Sequence, residues 1–422
     1  MTPAIPHQQT EETGALQEDD VSLIALENGC ITSPRGFSAS GVACGLKAEG
    51  MDMALVFSET AAVAAALFTC NKLRAAPIAV SENHIACQQA RAILINSGNA
   101  NACTGARGWQ DAEMTAKAVS AALHIPINHT LIASTGVIGH FLPMEKILAG
   151  IQRAVADLQP NGGPDAARAI MTTDTRPKQM AIECRIDGKS CRIGAMAKGS
   201  GMIQPRLATM IAVFTTDCAI EPTLLREALQ NSVNKSFNVL TVDGEQSTND
   251  CVFILANHQC GNPAIRQKDE NFRVFQRALD QVAVALAQEL ARDGEGASKL
   301  ITVTVQEAAT AEEADRAARS VANSLLVKTA LFGRDPNWGR VISALGASGA
   351  QLQPEKIQIR FAGIVVAEKG QAIDYDRIAM QKALQEAEVE IEARLGIGQY
   401  RARVYTCDLS YDYVRINAEY HT

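Results

Sequence analysis

The stretch that decides the fold is residues 195–217, AMAKGSGMIQPRLATMIAVFTTD. It predicts a strand, a tight turn and a second strand, because two apolar runs flank a turn that contains Gly199 and Gly201. Pro205 restricts the backbone again before the second strand, and Thr209 stands at the first position of that strand. The stretch therefore places a threonine at the start of a buried strand, soon after a glycine-rich turn.

A threonine in this position becomes a candidate nucleophile when the peptide bond before it is cut. The hydroxyl is a weak nucleophile at its own pKa and needs an adjacent base. Cleavage between Ala208 and Thr209 supplies one, since the freed α-amine has a pKa of about 8 and can take the hydroxyl proton. The pattern taken alone is more often that of an ordinary hairpin turn, so the spacing does not establish a nucleophile.

Composition indicates an ordinary globular protein. The 422 residues are 47% hydrophobic and 20% charged, and the net charge of -7 without a block of Lys and Arg argues against nucleic-acid binding. No apolar stretch approaches the roughly 20 residues of a membrane span. Residues 1–20 are acidic and polar, and we interpret them as a disordered tail without a secretory signal.

Cysteine and histidine spacing argues against a disulfide scaffold and against a metal site. The eleven cysteines contain no C-x-x-C pair, and the seven histidines contain no H-x-x-H pair. We therefore expect most cysteines to be buried, reduced thiols of a cytoplasmic protein, with no metal and no cofactor.

The rest of the chain predicts mixed α and β structure. Apolar residues recur every three or four positions over 271–292, which predicts a helix with Gly294 as its C-cap glycine. Thr310 and Glu313 form a capping box for a second helix that runs to Asn323. A third helix is predicted from 376 to about 388, and alternating apolar residues predict strands over 300–305 and 356–361.

Motifs throughout the chain resemble one enzyme family. The run KGSGMI at 198–203, followed by ATM at 208–210, resembles the self-cleavage signature of the ornithine acetyltransferases, also called bifunctional glutamate N-acetyltransferases. Further matching segments follow the family's order: INSGNANACTG (95–105), STGVIG (134–139), MTTDTRPK (171–178), TVDGEQSTND (241–250), DGEGASK (293–299), LVKTALFGRDPNWGR (326–340) and RINAEYHT (415–422). The resemblance covers nearly everything after the tail.

The resemblance implies both an architecture and a reaction. It implies an α+β fold, a layered α/β/β/α sandwich formed jointly by two self-cleaved fragments, 21–208 and 209–422, which assemble as two α and two β fragments. It also implies transfer of an acetyl group from N-acetylornithine to glutamate through an acetyl-threonine in a ping-pong mechanism. The products are ornithine and N-acetylglutamate, for arginine biosynthesis. Acetyl-CoA is a further candidate donor, and the expected partners are small molecules only.

Carried over by motif, the resemblance assigns residues to roles. Thr209 is the nucleophile, Ala208 and Thr209 flank the cut, and Thr135 and Gly136 form the oxyanion hole. The residues expected to contact substrate are Thr175, Lys198, Thr209, Glu295, Asn417 and Thr422.

These roles agree with the chemistry of the side chains. Gly136 can present a bare N–H and Thr135 a hydroxyl to the negative charge that develops on an attacked carbonyl. Lys198 suits a substrate carboxylate, and Glu295 suits the side-chain ammonium of ornithine. Asn417 and Thr422 reach substrate only when the C-terminus folds back into the site.

One departure from the family pattern lies beside the predicted cut. The family usually has a small polar residue and then Met before Ala-Thr, whereas Arg206 and Leu207 precede Ala208 here. Leu replaces Met at similar volume, but Arg206 adds a charge next to the bond, so we expect it to affect the rate or completeness of cleavage. The main alternative is an N-terminal-threonine amidohydrolase or aminopeptidase, in which water takes the place of glutamate as acceptor.

Overall fold

The structure of the protein, a computed structural model, describes residues 23–204 and 210–419. The predicted tail over residues 1–20 and the predicted roles of Ala208, Thr209 and Thr422 lie outside these residues.

The first sheet has nine strands in the order β1-β6-β7-β8-β9-β3-β4-β5, with β2 paired to β3. Its strands are β1 Ile24–Ala25, β2 Phe37–Val42, β3 Met53–Phe68, β4 Gln89–Asn99, β5 Thr130–Val137, β6 Lys178–Ile186, β7 Lys189–Lys198, β8 Ile211–Thr216 and β9 Cys251–Ala256. The second sheet has six strands in the order β13-β12-β11-β14-β10-β15. Its strands are β10 Leu300–Ala308, β11 Gln358–Phe361, β12 Ile364–Glu368, β13 Gln371–Ala372, β14 Glu388–Arg394 and β15 Tyr400–Cys407.

Helices cover both sheets. They are α1 Ala76–Ile85, α2 Gly105–Leu123, α3 Met144–Ala156, α4 Gly163–Ala169, α5 Pro222–Lys235, α6 Glu270–Arg292, α7 Ala311–Ala322, α8 Leu325–Phe332, α9 Trp338–Gly346, α10 Arg377–Ala383 and α11 Tyr411–Glu419. Of the helices in the described ranges, none is both long enough and apolar enough to cross a membrane.

The first sheet folds into the two inner layers of a four-layer sandwich. Along β8, Ala212 and Phe214 pack with α5 and α6, while Ile211 and Val213 face the opposite side. There they meet residues of β2, β3 and β4, whose outer faces pack under α2 and α3. Because side chains alternate between the two faces of a strand, each strand serves two cores. The fold is thus α+β, with the predicted α/β/β/α order of layers.

Strands from both predicted fragments lie next to each other in this sheet. β7 pairs antiparallel with β8, with Lys198 opposite Ile211, as the hairpin prediction requires. β8 in turn pairs parallel with β9, so strands from both sides of residue 208 form one continuous sheet. In the turn, Gly199 has a φ of 153° but Gly201 does not have a positive φ, so only one of the two glycines is needed for its backbone conformation.

The second sheet carries its own core, which the sequence did not indicate as a separate unit. The apolar faces of its strands pack under α7 and α9, with Val321 and Leu345 against Ile359 and Val404. The predicted strands over 300–305 and 356–361 correspond to β10 and β11. Alternation in these strands reflects a sheet with one better-covered face, since Thr302, Gln306, Gln358 and Arg360 on the outward side are half-buried, although Thr304 is buried.

The three predicted helices form, with corrections at their ends. The helix predicted over 271–292 is α6, but Asp293, not Gly294, is its C-cap, and Gly294 has no positive φ. A side chain on Gly294 would instead lie 2.8 Å from the sulfur of Cys407, so close packing explains this glycine. The third helix, α10, ends at Ala383 rather than near 388, because the alternating run that begins at Glu388 pairs as β14.

The capping box before α7 is half formed. The Thr310 side chain accepts a hydrogen bond from the N–H of Glu313, as predicted. The Glu313 carboxylate, however, accepts from the N–H of Gln351 rather than turning back to the start of its own helix.

One disulfide departs from the expectation of reduced thiols. Cys191 in β7 is joined to Cys260, after β9. Several of the other cysteines are buried, as predicted: Cys30, Cys44, Cys184, Cys218, Cys251 and Cys407.

Candidate active site

A cleft opens where several chain segments meet at one end of the sandwich. It lies at the end of β7, beside the end of β5 and the segment that follows α6, and α11 lies alongside. Its lining includes five of the residues singled out in the sequence: Thr135, Gly136, Lys198, Glu295 and Asn417. The fold therefore brings together residues that are up to 282 positions apart (417 − 135).

Thr135 and Gly136 lie at the end of β5, next to an irregularity in its pairing with β4. The two strands run parallel, and their register shifts directly after Gly98 and Gly136. Such a bulge disrupts the ladder of backbone hydrogen bonds, which makes backbone groups available to a ligand. Gly136 has a φ of 128°, and a Cβ there would lie 2.4 Å from the carbonyl carbon of Gly98. Only glycine fits this position.

Asn249 holds the segment that carries Thr135 in place through hydrogen bonds. Its amide nitrogen donates to the carbonyl oxygens of Ala100 at 2.6 Å and Ser134 at 2.8 Å. Its amide oxygen accepts from the Thr248 hydroxyl at 2.6 Å, which fixes the orientation of the amide. Asn249 and Thr248 also line the cleft. They belong to the run TVDGEQSTND, whose motif did not predict a role for either residue.

Lys198 is a buried cation that borders the cleft. Its Nζ donates to the hydroxyl oxygen of Thr172 at 2.8 Å and lies 3.4 Å from that of Thr135. Burial lowers the pKa of the Lys198 ammonium, and the negative charge of Asp174 opposes this shift. Among the described residues, its hydrogen bonds go to neutral hydroxyls, so the ammonium retains capacity for an anionic ligand.

Glu295 supplies a buried carboxylate on the same cleft. It is 8% exposed, and its Oε2 accepts a hydrogen bond from Asn417 Nδ2 at 2.8 Å. A Cβ on Gly201 would lie 2.4 Å from this carboxylate, so the second glycine of the turn is explained by close approach. The cleft thus presents a positive and a negative group, a pattern that suits a zwitterion or an amino acid with a charged side chain.

The C-terminal helix α11 reaches the cleft through Asn417. Asn417 also donates to the carbonyl oxygen of Tyr413 within its own helix, at 3.0 Å. Tyr413 lies 3.5 Å through its hydroxyl from Asp243, and that carboxylate accepts from the backbone N–H groups of Met202 and Ile203. Asp243 therefore links the end of the chain to the turn after Gly201.

The start of β8 is held by a fully buried carboxylate. Asp250 Oδ1 accepts a hydrogen bond from the N–H of Met210 at 2.8 Å, where the described chain resumes. Burial raises the pKa of Asp250 well above its ordinary value, while the N–H of Met210, the charge of Lys198 and the hydroxyl of Ser247 oppose the shift. Among the residues that the structure describes, Oδ2 has no hydrogen-bond partner that meets normal geometry.

Thr175 does not line the cleft with the other predicted residues. It is exposed, and its hydroxyl and N–H both donate to Asp293. Thr172 and Thr173, three and two residues earlier in the same run, line the cleft instead. The sequence offers three threonines within four positions there, and only tertiary packing distinguishes them.

Thiol and carboxylate ligands for a metal come together only at the far end of the sheet, as far as the structure describes the chain. The group consists of Cys191, Asp217 and Cys260. The two sulfurs are joined as a disulfide, and Asp217 accepts hydrogen bonds from Arg35 and Arg192. These atoms are already engaged and do not fit a metal centre.

Comparison with known proteins identifies close relatives. A family model described as the ArgJ family matches residues 38–422. The protein called arginine biosynthesis bifunctional protein ArgJ from Symbiobacterium thermophilum is 47% identical over 397 residues, which is 93% of this chain and 99% of that protein. The protein of the same name from Synechococcus is 47% identical over 406 residues, 94% of this chain and 98% of the relative.

Solved structures are also similar. A crystal structure of ornithine acetyltransferase complexed with ornithine, from Mycobacterium tuberculosis, has 41% sequence identity and a TM-score of 0.41. The match covers 44% of this chain and 98% of that chain.

Proposed function

This chain belongs to the ArgJ family, and on that premise we propose that it transfers an acetyl group from N-acetylornithine to glutamate. The products are ornithine and N-acetylglutamate, and the reaction serves arginine biosynthesis. The observation that supports the proposal best is the pairing of a buried ammonium, Lys198, with a buried carboxylate, Glu295, on one cleft beside Thr135 and Gly136.

The proposed nucleophile is Thr209, which is bonded to Met210 at the start of β8. Its hydroxyl oxygen attacks the carbonyl carbon of Ala208, the C–N bond breaks, and the nitrogen takes the hydroxyl proton. Water then opens the resulting ester, which leaves a carboxylate on Ala208 and a free hydroxyl and α-amine on Thr209. The fragments 21–208 and 209–422 stay associated because β8 pairs on both sides.

Acetyl transfer then follows in two half-reactions. The Thr209 hydroxyl attacks the acetyl carbonyl of N-acetylornithine while its α-amine takes the proton. Thr135 and Gly136 stabilise the negative charge on the carbonyl oxygen, a contribution worth about 10²- to 10³-fold in rate for each donor. The amide C–N bond breaks, ornithine takes the proton and leaves, and the α-amine of glutamate attacks the acetyl-threonine to give N-acetylglutamate and restore the hydroxyl.

The two charged groups orient both substrates. Lys198 binds the α-carboxylate that N-acetylornithine and glutamate share, and Glu295 binds the side-chain ammonium that only ornithine carries. Asn417 fixes the Glu295 carboxylate through its 2.8 Å hydrogen bond. Thr172 belongs in the site through its contact with Lys198, and Thr422 stays a predicted substrate contact.

Further parts of the proposal follow the family resemblance. Acetyl-CoA is a second candidate donor, which would make the enzyme bifunctional, as the relatives' name states of them. We also propose an assembly of two α and two β fragments, no resident cofactor, and action in the cytoplasm.

The test combines processing with turnover. Wild-type protein should give two bands on a denaturing gel and release ornithine when supplied with N-acetylornithine and glutamate. Thr209→Ala should give one full-length band and no transfer, whereas the matched control Thr329→Ala, an exposed helical position, should behave as wild type. Two bands from Thr209→Ala would refute self-processing by this residue.

The same assay separates transfer from hydrolysis. With N-acetylornithine alone, a hydrolase releases acetate at a rate that glutamate does not increase. A transferase forms N-acetylglutamate in proportion to the ornithine released, and acetate release without glutamate at the full rate would favour the amidohydrolase alternative.

A further inference from the structure

Beneath the cleft lies a cluster of four buried charges of alternating sign. The Lys178 and Asp174 side chains are 0% exposed, that of Lys198 3% and that of Asp293 4%. Lys178 Nζ lies 2.7 Å from Asp174 and 2.5 Å from Asp293, and Asp174 lies 3.9 Å from Lys198 Nζ. The two ammonium groups and the two carboxylates balance, which is the condition under which buried charges are tolerated.

Asp174 is bonded to donors through both of its oxygens. Oδ1 accepts from Lys178 Nζ at 2.7 Å and from the N–H of Gly199 at 2.7 Å. Oδ2 accepts from the N–H of Thr172 at 3.0 Å and faces the ammonium of Lys198. One carboxylate thus fixes the backbone on both sides of the cleft, at the run that carries Thr172 and at the turn after Lys198.

Lys178 extends this arrangement across the sandwich to the segment after α6. Its second partner, Asp293, offers its backbone carbonyl to the Ser200 hydroxyl at 2.6 Å. The carbonyl of Ser200 in turn accepts from the N–H of Glu295 at 2.9 Å. The position of the Glu295 backbone therefore depends on the same cluster as the position of Lys198.

The cluster also governs the charge of Lys198. Burial lowers the pKa of the Lys198 ammonium, Asp174, Asp250 and Glu295 raise it, and Lys178 lowers it further. Burial raises the pKa of Asp174, but the charges of Lys198 and Lys178, together with the hydrogen bonds from Lys178 and Gly199, outweigh burial and lower it to about 2. Asp174 is consequently ionised throughout the working pH range and is a permanent counter-charge for Lys198.

We propose that Asp174 is a positioning residue of the acetyl-transfer site: it keeps Lys198 charged and directed at the cleft, and Lys178 ties it to Asp293 on the other fragment. The inference rests on the proposed function, because it concerns the group that binds the substrate carboxylate there. In this role, Asp174 and Lys178 act through Lys198 and do not contact the substrate directly.

Asparagine cannot replace Asp174, because every partner of its two oxygens is a donor. Whichever way an amide is turned, its NH2 group faces either Lys178 and Gly199 or Thr172 and Lys198. Asp174→Asn therefore removes the counter-charge and also places the amide NH2 group opposite another hydrogen-bond donor. Lys178→Met has the opposite electrostatic effect on Lys198, since it removes a nearby like charge and leaves Lys198 as the ammonium that Asp174 faces.

The test is the pH profile of kcat/KM for N-acetylornithine, which reports groups on the free enzyme and free substrate. Lys198 must be protonated to bind a carboxylate, so activity falls as pH rises through its pKa. Asp174→Asn lowers that pKa, and we expect the alkaline limb to move to lower pH by about 1 to 3 units. Lys178→Met should move the same limb to higher pH. Asp250 and Glu295 are unchanged in both variants, so their effect on Lys198 cancels.

The controls separate this role from simple support of the fold. Asp165→Asn makes the same change at an exposed ion pair with Arg168 and should leave the profile unchanged. A loss of rate by an equal factor at every pH, with an unmoved limb, would overturn the inference for Asp174. If Asp174→Asn does not fold, Lys178→Met decides alone: an alkaline limb that stays in place or moves down overturns the inference. Absence of acetyl transfer by wild-type protein instead overturns the proposed function, and the inference with it.

Discussion

The sharpest prediction concerns the charge of Glu295. Glu295→Gln preserves the shape of the side chain, and its amide oxygen can still accept from Asn417, as the carboxylate does at 2.8 Å. Only the negative charge is lost, at a position that is 8% exposed. A hydrogen bond to a charged group contributes about 1.5 to 3 kcal/mol, which corresponds to roughly 10- to 150-fold in kcat/KM.

A substrate without the ammonium isolates this effect. N-acetylnorvaline matches N-acetylornithine along most of its side chain but lacks the terminal amine. We expect Glu295→Gln to lower kcat/KM for N-acetylornithine by the factor above and to change kcat/KM for N-acetylnorvaline by less than about threefold. Glu270→Gln, at an exposed position in α6, should change neither rate by more than the error of the assay.

The comparison between substrates decides the outcome. Equal losses on both substrates would mean that Glu295 supports the cleft without pairing with the substrate ammonium, and the assigned role would be wrong. A larger loss on N-acetylnorvaline would contradict the electrostatic argument altogether, since that substrate offers no cation.

Two further predictions follow from the geometry of the cleft. Gly136→Ala places a Cβ 2.4 Å from Gly98 at a φ of 128°, so the end of β5 must shift. We expect kcat to fall at least 10²-fold, which is the contribution of one oxyanion donor. Gly139→Ala, which has open space around its Cβ, should have a much smaller effect on single-turnover acetylation. Thr172→Val removes the hydroxyl that Lys198 contacts at 2.8 Å and should raise KM several-fold. Thr175→Val loses only a hydrogen bond to Asp293, so it should lower the free energy of unfolding by about 1 to 3 kcal/mol with KM less affected. A larger change of KM in Thr175→Val than in Thr172→Val would reverse the assignment.

The sequence was sufficient for the elements whose patterns are local. Helix α6 and strand β10 follow from apolar spacing, and the β7–β8 hairpin follows from its glycine turn, because short-range periodicity and backbone freedom determine them. The end of α10 could not be predicted from local patterns, because the residues after it suit a helix or a strand equally well. Pairing of β14 with β10 and β11 decides in favour of the strand.

The site shows the same division between local and tertiary information. The motifs were enough to predict Lys198, Glu295 and Asn417 as site residues, and the fold places all three at one cleft. They were not enough to choose between Thr172 and Thr175, because the choice depends on which hydroxyl the buried Lys198 reaches. The disulfide was missed for a related reason: its partners are 69 residues apart and become neighbours only in the folded sheet.

The central position of β8 has a consequence for the order of events in the life of this protein. A strand paired on both sides cannot leave without opening the interior of the sandwich, so scission at residue 208 would create two new chain ends without loosening the assembly. The proposed cleavage would then come after the chain has folded. Halves synthesised from separate messages would have to find each other while exposing bare strand edges, an aggregation hazard that a single precursor avoids.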